Sequence, residues 1–385
     1  MKIALFHSIY KPDYRGGAEV AVENMALAIK KSGKDVFVIT VGRSNRHEII
    51  DGIDVFRIKP FNIFNFLDIN KQPAWKRFLW HIIDLSNDIQ IWKIFKILLK
   101  EKPDLIVTNN LKGLGYNILL LIKLMNIKHI HIVHDMQLIH PSGLYNDKQH
   151  FNFLEKIYLI FCKLLFGSPF KVVFPSLHIK NIYDHFGFFK SSTKIVLGNP
   201  LPLNFNIKKI KKNNNLNKKV IFAFVGQVEE YKGIIGLLKI LPGLSGNWKL
   251  LIAGDGKAIA EAKKITLDLP QVVFYGHLNQ NELEQKIWSQ ADILINPSLT
   301  AESFGMVVIE AYARGIPVLA SDSGALSEIV KDGKTGWIFK SGDWYDLRHR
   351  LEFIITNPQK IKELSNNCLK EAERYSMINY LKEIF

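Results

Sequence analysis

The stretch ILINPSLTAESFGMVVIE, residues 293–310, shows the pattern that decides the fold. It starts with a short apolar run, continues through a polar loop at 297–305 and ends in a second apolar run. Short, continuous apolar runs are typical of strands that are buried on both faces of a parallel sheet. We therefore predict a buried strand, a loop at its carboxyl end and a helix that covers the sheet.

The same alternation extends along the whole chain. Strand-like runs lie at 3–7, 36–40, 105–108, 129–134, 171–175, 194–197, 220–225, 249–253, 272–275, 293–296, 317–320 and 337–339. Helical patterns fall between most of them, and Val22, Met25, Ala26 and Ile29 have the spacing that buries one face of a helix. The sequence predicts an α/β protein with two doubly wound, Rossmann-like domains facing a cleft, with ligands at the carboxyl ends of the strands.

The polar, repetitive segment NFNIKKIKKNNNLNKK, residues 204–219, has no core-forming period and marks the domain boundary. We predict an N-terminal, acceptor-binding domain at 1–203 and a linker at 204–219. The C-terminal domain, at 220–385, is expected to bind a nucleotide sugar, and its last helix can pack back on the N-terminal domain.

Composition excludes several classes of protein. The chain has 385 residues, of which 48% are hydrophobic, which is too apolar for a disordered chain and too long for a lone small module. Its two cysteines, Cys162 and Cys368, match neither a disulfide framework nor a cysteine-based zinc site. Neither a secretion signal nor a membrane-spanning run is visible, so we expect a cytoplasmic protein that can lie on the inner face of the cell membrane.

The basic charge is concentrated in the first half of the chain. The net charge is +15, and residues 1–203 contain 27 basic and 16 acidic residues. A nucleic acid, an anionic membrane or a phosphorylated substrate would each suit this field, and solvated surface lysines explain it equally well.

Two candidate sites lie in the N-terminal half. Gly16 and Gly17 precede a helix, where backbone N–H groups can approach an anion, although a plain tight turn explains the pair as well. His134 and Asp135 follow a strand, where they could hydrogen-bond a sugar or titrate near neutrality, or could serve a structural role. No third or fourth ligand is spaced to complete a metal site around them.

The C-terminal half offers stronger candidates. Lys232 precedes a helix after the first strand of that half and is placed to neutralise a diphosphate, with a surface lysine as the alternative. Glu302 lies in a loop, and Glu310 lies two turns further along if the helix starts near Phe304. A carboxylate within the apolar stretch 307–313 needs a partner, which favours a ligand-binding role.

This combination resembles the retaining GT-B glycosyltransferases of family 4. The resemblance covers nearly the whole chain, and its specificity lies in the order and spacing of many short motifs. They are Gly16-Gly17-Ala18-Glu19, His134-Asp135, Phe174-Pro175-Ser176, Gly198-Asn199-Pro200, Val225-Gly226, Lys232-Gly233, Gly254-Asp255-Gly256, Tyr275-Gly276-His277, Pro297-Ser298, Glu302 to Glu310, Gly315-Ile316-Pro317-Val318, and Gly324 with Glu328.

The resemblance implies roles for individual residues. Lys232 and Gln227 would bind the donor diphosphate, Gly17 would approach it from the other domain, and Glu310 would hold the ribose. Gln227 departs from the family, which usually has arginine there, so more of the neutralisation would rest on Lys232 and the helix N-termini.

The donor sugar would be contacted from both domains. The catalytic candidates are His134 and Glu302, and the backbone of Phe304, Gly305 and Met306 would face the sugar beside them. The expected reaction transfers a hexosyl unit, with retention, from a nucleotide sugar that is most plausibly UDP-linked. No metal or other cofactor is expected, because no DxD-type carboxylate pair follows a strand.

The acceptor is expected to be a glycan or lipid-linked glycan bound by the N-terminal domain during the synthesis of a cell-surface polysaccharide. Basic residues and an aromatic cluster in this domain suit an anionic membrane surface, unless the aromatic side chains form helix cores. The cluster consists of Phe61, Phe64, Phe66, Trp75, Phe78 and Trp80. Nucleic acid is not expected as a partner. A nucleotide-sugar epimerase of the same fold and a non-catalytic glycan-binding protein remain as alternatives.

Overall fold

The structure is a computed structural model that describes residues 1–13, 17–85, 87–143, 151–203, 205–208 and 219–385. The contacts between Cα atoms divide the chain into two compact units. The first comprises residues 1–203 and 377–385, and the second comprises residues 204–376. Gly16 and most of the predicted linker, residues 204 and 209–218, lie outside the described residues.

The first unit contains an eight-stranded sheet with the order β3-β4-β2-β1-β5-β6-β7-β8. Every neighbouring pair in it is parallel except β3 and β4. The strands are β1 (Lys2–Phe6), β2 (Asp35–Val41), β3 (Arg46–Ile50), β4 (Ile53–Ile58), β5 (Leu105–Thr108), β6 (Lys128–Ile132), β7 (Lys171–Phe174) and β8 (Thr193–Val196).

Helices cover both faces of this sheet. Alternate residues of β1 belong to different hydrophobic clusters, since Ile3 and Leu5 pack in one and Ala4 and Phe6 in the other. Such alternation is what a strand buried on both faces requires. The helices are α1 (Gly17–Lys31), α2 (Ala74–Leu85), α3 (Asp88–Glu101), α4 (Ile118–Leu124), α5 (Phe153–Phe166) and α6 (Leu177–His185), with a 3₁₀ helix at Phe66–Lys71.

The last helix of the chain belongs to the first unit. Met377, Tyr380 and Ile384 of this helix, α14 (Met377–Ile384), are buried in the same cluster as Val22 of α1. The side-chain amine of Lys171 donates to the carbonyl oxygens of Glu383 and Ile384 at 3.1 and 2.8 Å. The chain therefore returns to the unit in which it began.

The second unit contains a six-stranded, parallel sheet with the order β11-β10-β9-β12-β13-β14. The strands are β9 (Val220–Val225), β10 (Trp248–Ala253), β11 (Val272–Gly276), β12 (Ile293–Asn296), β13 (Val318–Ser321) and β14 (Gly336–Phe339). Its helices are α7 (Ile234–Lys239), α8 (Ile259–Ile265), α9 (Gln280–Leu283), α10 (Met306–Tyr312), α11 (Leu326–Ile329), α12 (Trp344–Thr356) and α13 (Gln359–Glu373). The expectation of two parallel-sheet α/β domains is confirmed.

The sequence analysis missed one hairpin, formed by β3 and β4. Its strands are joined by Asp51 and Gly52, which have φ angles of 51° and 70°. Two consecutive positive φ angles are characteristic of the tight turn that joins antiparallel strands, and Asp-Gly is its usual sequence. That dipeptide was the available signal for the hairpin.

Candidate functional site

The second sheet has a topological switch point between β9 and β12. The chain runs from β9 through β10 to β11 towards one edge and then resumes with β12 on the other side of β9. Open parallel sheets bind ligands at such a point, beyond the carboxyl ends of the strands. The two loops that meet there, at 226–233 and 297–305, contain Gln227, Lys232 and Glu302.

A glycine allows these two loops to approach each other closely. Gly233 ends the 3₁₀ turn Glu230–Lys232 with a φ of 73°, and a Cβ atom there would lie 1.9 Å from the carbonyl oxygen of Pro297. Only glycine accommodates both this backbone angle and this approach. The position of Lys232 relative to the β12 loop is therefore set by its neighbour in the sequence.

Lys232 and Glu302 form an ion pair at the switch point. The ammonium nitrogen of Lys232 lies 2.6 Å from Oε1 of Glu302, and both side chains are partly buried. The backbone of Glu302 forms a bridge with Gly324, where a Cβ atom would lie 2.6 Å from the Glu302 nitrogen. Two residues that were predicted separately from the sequence are thus in direct contact.

Gln227 is exposed beside this pair. Its side-chain oxygen accepts a hydrogen bond from the hydroxyl group of Tyr231. The ring of Tyr231 also lies 5.6 Å from the ammonium group of Lys232. Within the described residues the amide nitrogen of Gln227 has no protein partner, so it is available to donate a hydrogen bond to a ligand.

Glu310 lies on α10, which begins at Met306 rather than near Phe304. Gly305 precedes the helix with a φ of 101°, which prevents the helical turn from starting earlier. Glu302 lies in the loop before α10, so only Glu310 of the two glutamates is on the helix.

The carboxylate of Glu310 has no hydrogen-bond or ion-pair partner among the described residues. Burial raises its pKa, while the positive charge of Arg314 opposes that shift. The guanidinium group of Arg314 is itself occupied, since it donates to Oε2 of Glu284 at 2.7 and 2.9 Å and to the backbone oxygen of Glu310 at 2.6 Å. A ligand with hydroxyl groups would supply the missing donors.

Phe304 and Met306 flank Gly305 in different environments. The Phe304 side chain is buried and packs edge-on against Tyr375, with ring centroids 5.6 Å apart. Its backbone is therefore the part that remains for a ligand. Met306 is partly buried at the first position of α10.

The first unit has its own switch point, between β1 and β5. The chain passes from β1 to β2, β3 and β4 on one side and resumes with β5 on the other. The following loops are joined by a hydrogen bond of 2.8 Å from the nitrogen of Ser8 to the oxygen of Asn110. Gly17 begins α1 nearby in the sequence and is exposed.

His134 lies shortly after β6 and hydrogen-bonds to Asn109, which follows β5. Its Nε2 lies 2.9 Å from Oδ1 of Asn109, whose own amide nitrogen donates to the oxygen of Phe6 at 3.2 Å. This network places the imidazole proton on Nε2. Burial, together with the nearby His7, lowers the pKa of His134 to about 3. This shift does not favour a His134–Asp135 pair that titrates near pH 7, and the role of His134 stays a prediction.

Asp135 is not paired with His134. Its Oδ1 accepts a hydrogen bond of 2.8 Å from the nitrogen of Gln137, and burial raises its pKa. His7, which the sequence analysis overlooked, is buried between its neighbours, with its Nε2 3.9 Å from Glu19 and its ring 6.0 Å from that of His134. The position of His7 and Asn109 directly after β1 and β5 was the signal that could have found them.

The predicted aromatic cluster divides into two groups. Trp80 and Phe66 are buried, with the indole nitrogen of Trp80 donating to the oxygen of Phe64 at 2.9 Å. Phe61, Trp75 and Phe78 are exposed. None of the helices in the described part of the chain is long and apolar enough to cross a membrane.

Two family models match the chain, and together they account for most of it. The model described as Glycosyltransferase Family 4 matches residues 15–197, and the model described as Glycosyl transferases group 1 matches residues 206–374. The chain belongs to the GT-B glycosyltransferases.

Similar proteins occur in distant organisms. An uncharacterised 42.6 kDa protein in the cps region of Klebsiella pneumoniae is 29% identical over 339 residues, covering 86% of this glycosyltransferase and 88% of the relative. The capsular polysaccharide biosynthesis glycosyltransferase CapM of Staphylococcus aureus is 26% identical, with coverages of 76% and 80%. The crystal structure of Anabaena Alr3699/HepE in complex with UDP has the same fold, with a TM-score of 0.74, 18% identity and coverages of 100% and 98%.

Proposed function

We propose that this protein transfers a hexosyl unit, with retention of configuration, from a nucleotide sugar to a glycan or lipid-linked acceptor during the synthesis of a cell-surface polysaccharide. The observation that carries the proposal is the Lys232–Glu302 ion pair at the switch point of the second unit, with the unpartnered Glu310 carboxylate on the next helix. The assignment to polysaccharide synthesis is supported by the similarity to CapM. The UDP donor is supported by the complex of the structural neighbour with UDP.

In this proposal, Lys232 binds the donor diphosphate. Without a donor its charge is balanced by Glu302 at 2.6 Å. A bound diphosphate shares this ammonium group with the Glu302 carboxylate. The carboxylate then has lone pairs left that can accept hydrogen bonds from sugar hydroxyls. Gln227 assists through its amide nitrogen, and Gly17 is a further proposed donor-binding residue.

Glu310 holds the ribose of the donor, because two hydroxyl groups satisfy a partly buried carboxylate that has no donor among the described residues. The backbone of Phe304, Gly305 and Met306 faces the donor sugar. His134 contacts that sugar as a neutral hydrogen-bonding group, since its low pKa keeps it uncharged at neutral pH.

The reaction is proposed to need no divalent metal and no other cofactor, with Lys232 offsetting the diphosphate charge instead. Activity that disappears with EDTA and returns with manganese would contradict this part of the proposal. The protein is also proposed to lie on the cytoplasmic face of an anionic membrane, through the basic residues of the first unit and exposed aromatic side chains such as Phe61 and Trp75.

The test is an incubation with radiolabelled UDP-hexoses, with and without lipid-linked acceptors. We expect transfer of label to an acceptor, and the α or β configuration of the product then reports retention or inversion. Interconversion of the sugars without an acceptor would indicate an epimerase, and binding without reaction would indicate a glycan-binding protein. A Lys239→Ala variant serves as the control, because Lys239 is exposed and lies 3.7 Å from Glu261, on a helix rather than in the two loops.

A further inference from the structure

The first unit contains a cavity of about 990 Å³ that is lined in part by exposed apolar side chains from two helices. Phe78 and Ile82 come from α2, and Leu154, Ile157 and Phe161 come from α5. Each of them is between 37% and 51% exposed. Single exposed apolar residues are common in soluble proteins, whereas several in one concave surface mark a place where an apolar partner binds.

Two cations line the same cavity. Within the described residues, the guanidinium group of Arg77 has no hydrogen-bond or ion-pair partner. The ammonium group of Lys112 donates a hydrogen bond of 2.8 Å to the oxygen of Pro141. Burial is the main reason that the pKa of His81 is lowered to about 4, and the positive charges of Lys112 and Arg77 lower it further. Both cations therefore act on one part of the cavity.

Two carboxylates also line the cavity and are engaged within the protein. Oε1 of Glu155 lies 3.0 Å from Nε2 of His140, and Glu19 lies 3.9 Å from His7. Glu155 is further held by a capping box with Asn152 at the start of α5. An anionic group that enters beside Arg77 therefore meets a cation that no carboxylate of the described residues has already neutralised.

The polar end of the cavity includes the switch point of the first unit. Ser8 follows β1, Asn110 follows β5, and both belong to the lining. Ligands of open parallel sheets bind at such a point. One cavity thus joins a polar region at the strand ends to apolar residues of α2 and α5.

We propose that this cavity binds a lipid-linked acceptor, with its hydrocarbon chain against the apolar residues of α2 and α5 and its phosphate groups at Arg77 and Lys112. The glycan of the acceptor then lies towards Ser8 and Asn110. This inference rests on the proposed function and adds that the protein recognises the hydrocarbon chain and the phosphate groups of the acceptor. The aliphatic side chains of Ile82, Leu154 and Ile157 offer no hydrogen bonds to a sugar, and they favour the burial of hydrocarbon.

The geometry of the cavity favours the hydrocarbon chain of the acceptor lipid, rather than the surrounding bilayer, as the ligand. Contact with a bilayer needs an apolar face that lies along the interface. Here the apolar side chains line a concavity whose volume is within the range of about 300 to 1,000 Å³ that is typical of small-molecule sites. The cations beside them match the charge of a phosphate-linked lipid.

The test measures the binding of two prenyl diphosphates to the full chain by calorimetry, one with a 15-carbon chain and one with a 5-carbon chain. We expect the longer probe to bind at least tenfold more tightly. Combined Ile82→Ser and Phe161→Ser changes should reduce its affinity to that of the shorter probe. Leu164→Ser is the matched control, because Leu164 is exposed on α5 but does not line the cavity.

Arg77→Ala should weaken the binding of both probes by about tenfold, since it removes a contact that does not depend on chain length. Equal affinities for the two probes, or equal losses in the Leu164→Ser control and the cavity variant, would overturn the inference. UDP binding is measured on every preparation. If UDP binds normally while chain length has no effect, the lipid assignment alone is wrong; if UDP does not bind the wild type, the proposed function fails.

Discussion

Substitutions of Lys232 and of Glu302 should have different effects on donor binding. Lys232→Ala removes the cation that is proposed to contact the diphosphate. Losing a charge-assisted contact costs about 1.5 to 3 kcal/mol, which corresponds to a roughly 10- to 150-fold weaker affinity for UDP. Glu302→Gln leaves the cation in place and removes the carboxylate that lies 2.6 Å from it. UDP should then bind as tightly as before or a few times more tightly.

The two variants also separate binding from transfer. Glu302→Gln should lower the rate of hexosyl transfer roughly 100-fold although UDP binds, because a carboxylate that contacts the donor sugar acts in the transition state. Both variants should remain folded, since a partly exposed ion pair contributes only about 0 to 1 kcal/mol to stability.

Calorimetry with UDP and a transfer assay on the same preparations provide the measurements, with Lys239→Ala as the control. An unchanged UDP affinity in Lys232→Ala would refute the assignment of the diphosphate site. A Glu302→Gln variant that loses UDP as severely as Lys232→Ala would show that the pair acts only as a structural unit.

Three further predictions concern single groups. Glu310→Gln removes a partly buried carboxylate that has no partner among the described residues, so it should weaken UDP binding without lowering the free energy of unfolding in thermal denaturation; a loss of stability would contradict this. Gln227→Arg should tighten UDP binding if a cation is lacking there, and a weaker affinity in calorimetry would mean that another cation already serves that position. Asp84 is buried with its pKa raised to about 7, so its protonated form is favoured in the folded state and its contribution to stability falls as the pH rises from about 4 to about 7. In urea unfolding, the stability of wild type relative to Asp84→Asn should decline over that range and level off above it; a constant difference would refute the pKa shift.

The sequence predicted the second sheet almost completely because most of its strands are continuous apolar runs. The residues of β12, Ile293–Asn296, are all buried, and no polar position interrupts the signal. In contrast, β3 has no fully buried residue, which is why its sequence does not stand out as a strand. Edge strands that are covered on one side only carry a weak periodic signal.

The aromatic residues between Phe61 and Trp80 show a second limit of prediction from the sequence. Trp75 and Trp80 lie on the same helix, yet Trp75 is 62% exposed and Trp80 is fully buried. Composition predicts that such residues are important but does not determine which side of the helix faces the core. That choice depends on the packing partner, here the ring of Phe66, whose centroid lies 5.5 Å from that of Trp80.

The individual residues of the candidate site could be predicted from the sequence, but the contacts between them could not. Lys232 and Glu302 each follow a strand, so each was recognisable on its own. Their contact depends on β12 pairing with β9 rather than with β11, which precedes it in the chain. A list of strands in sequence order does not specify that choice, so the ion pair becomes visible only when the sheet order is known.

The two sheets share one topological feature, and we propose that it serves a different ligand in each unit. Each sheet reverses its strand order once beside its first strand, between β1 and β5 and between β9 and β12, and each reversal leaves a crevice at the carboxyl ends of the strands. In the second unit, glycines and a charged pair occupy this crevice, as suits a diphosphate. In the first unit, the crevice continues into a cavity with apolar walls and with Arg77, whose guanidinium group no carboxylate of the described residues neutralises. The proposed difference in ligand rests on these side chains, so substitutions at Lys232 and at Ile82 should impair the use of different substrates.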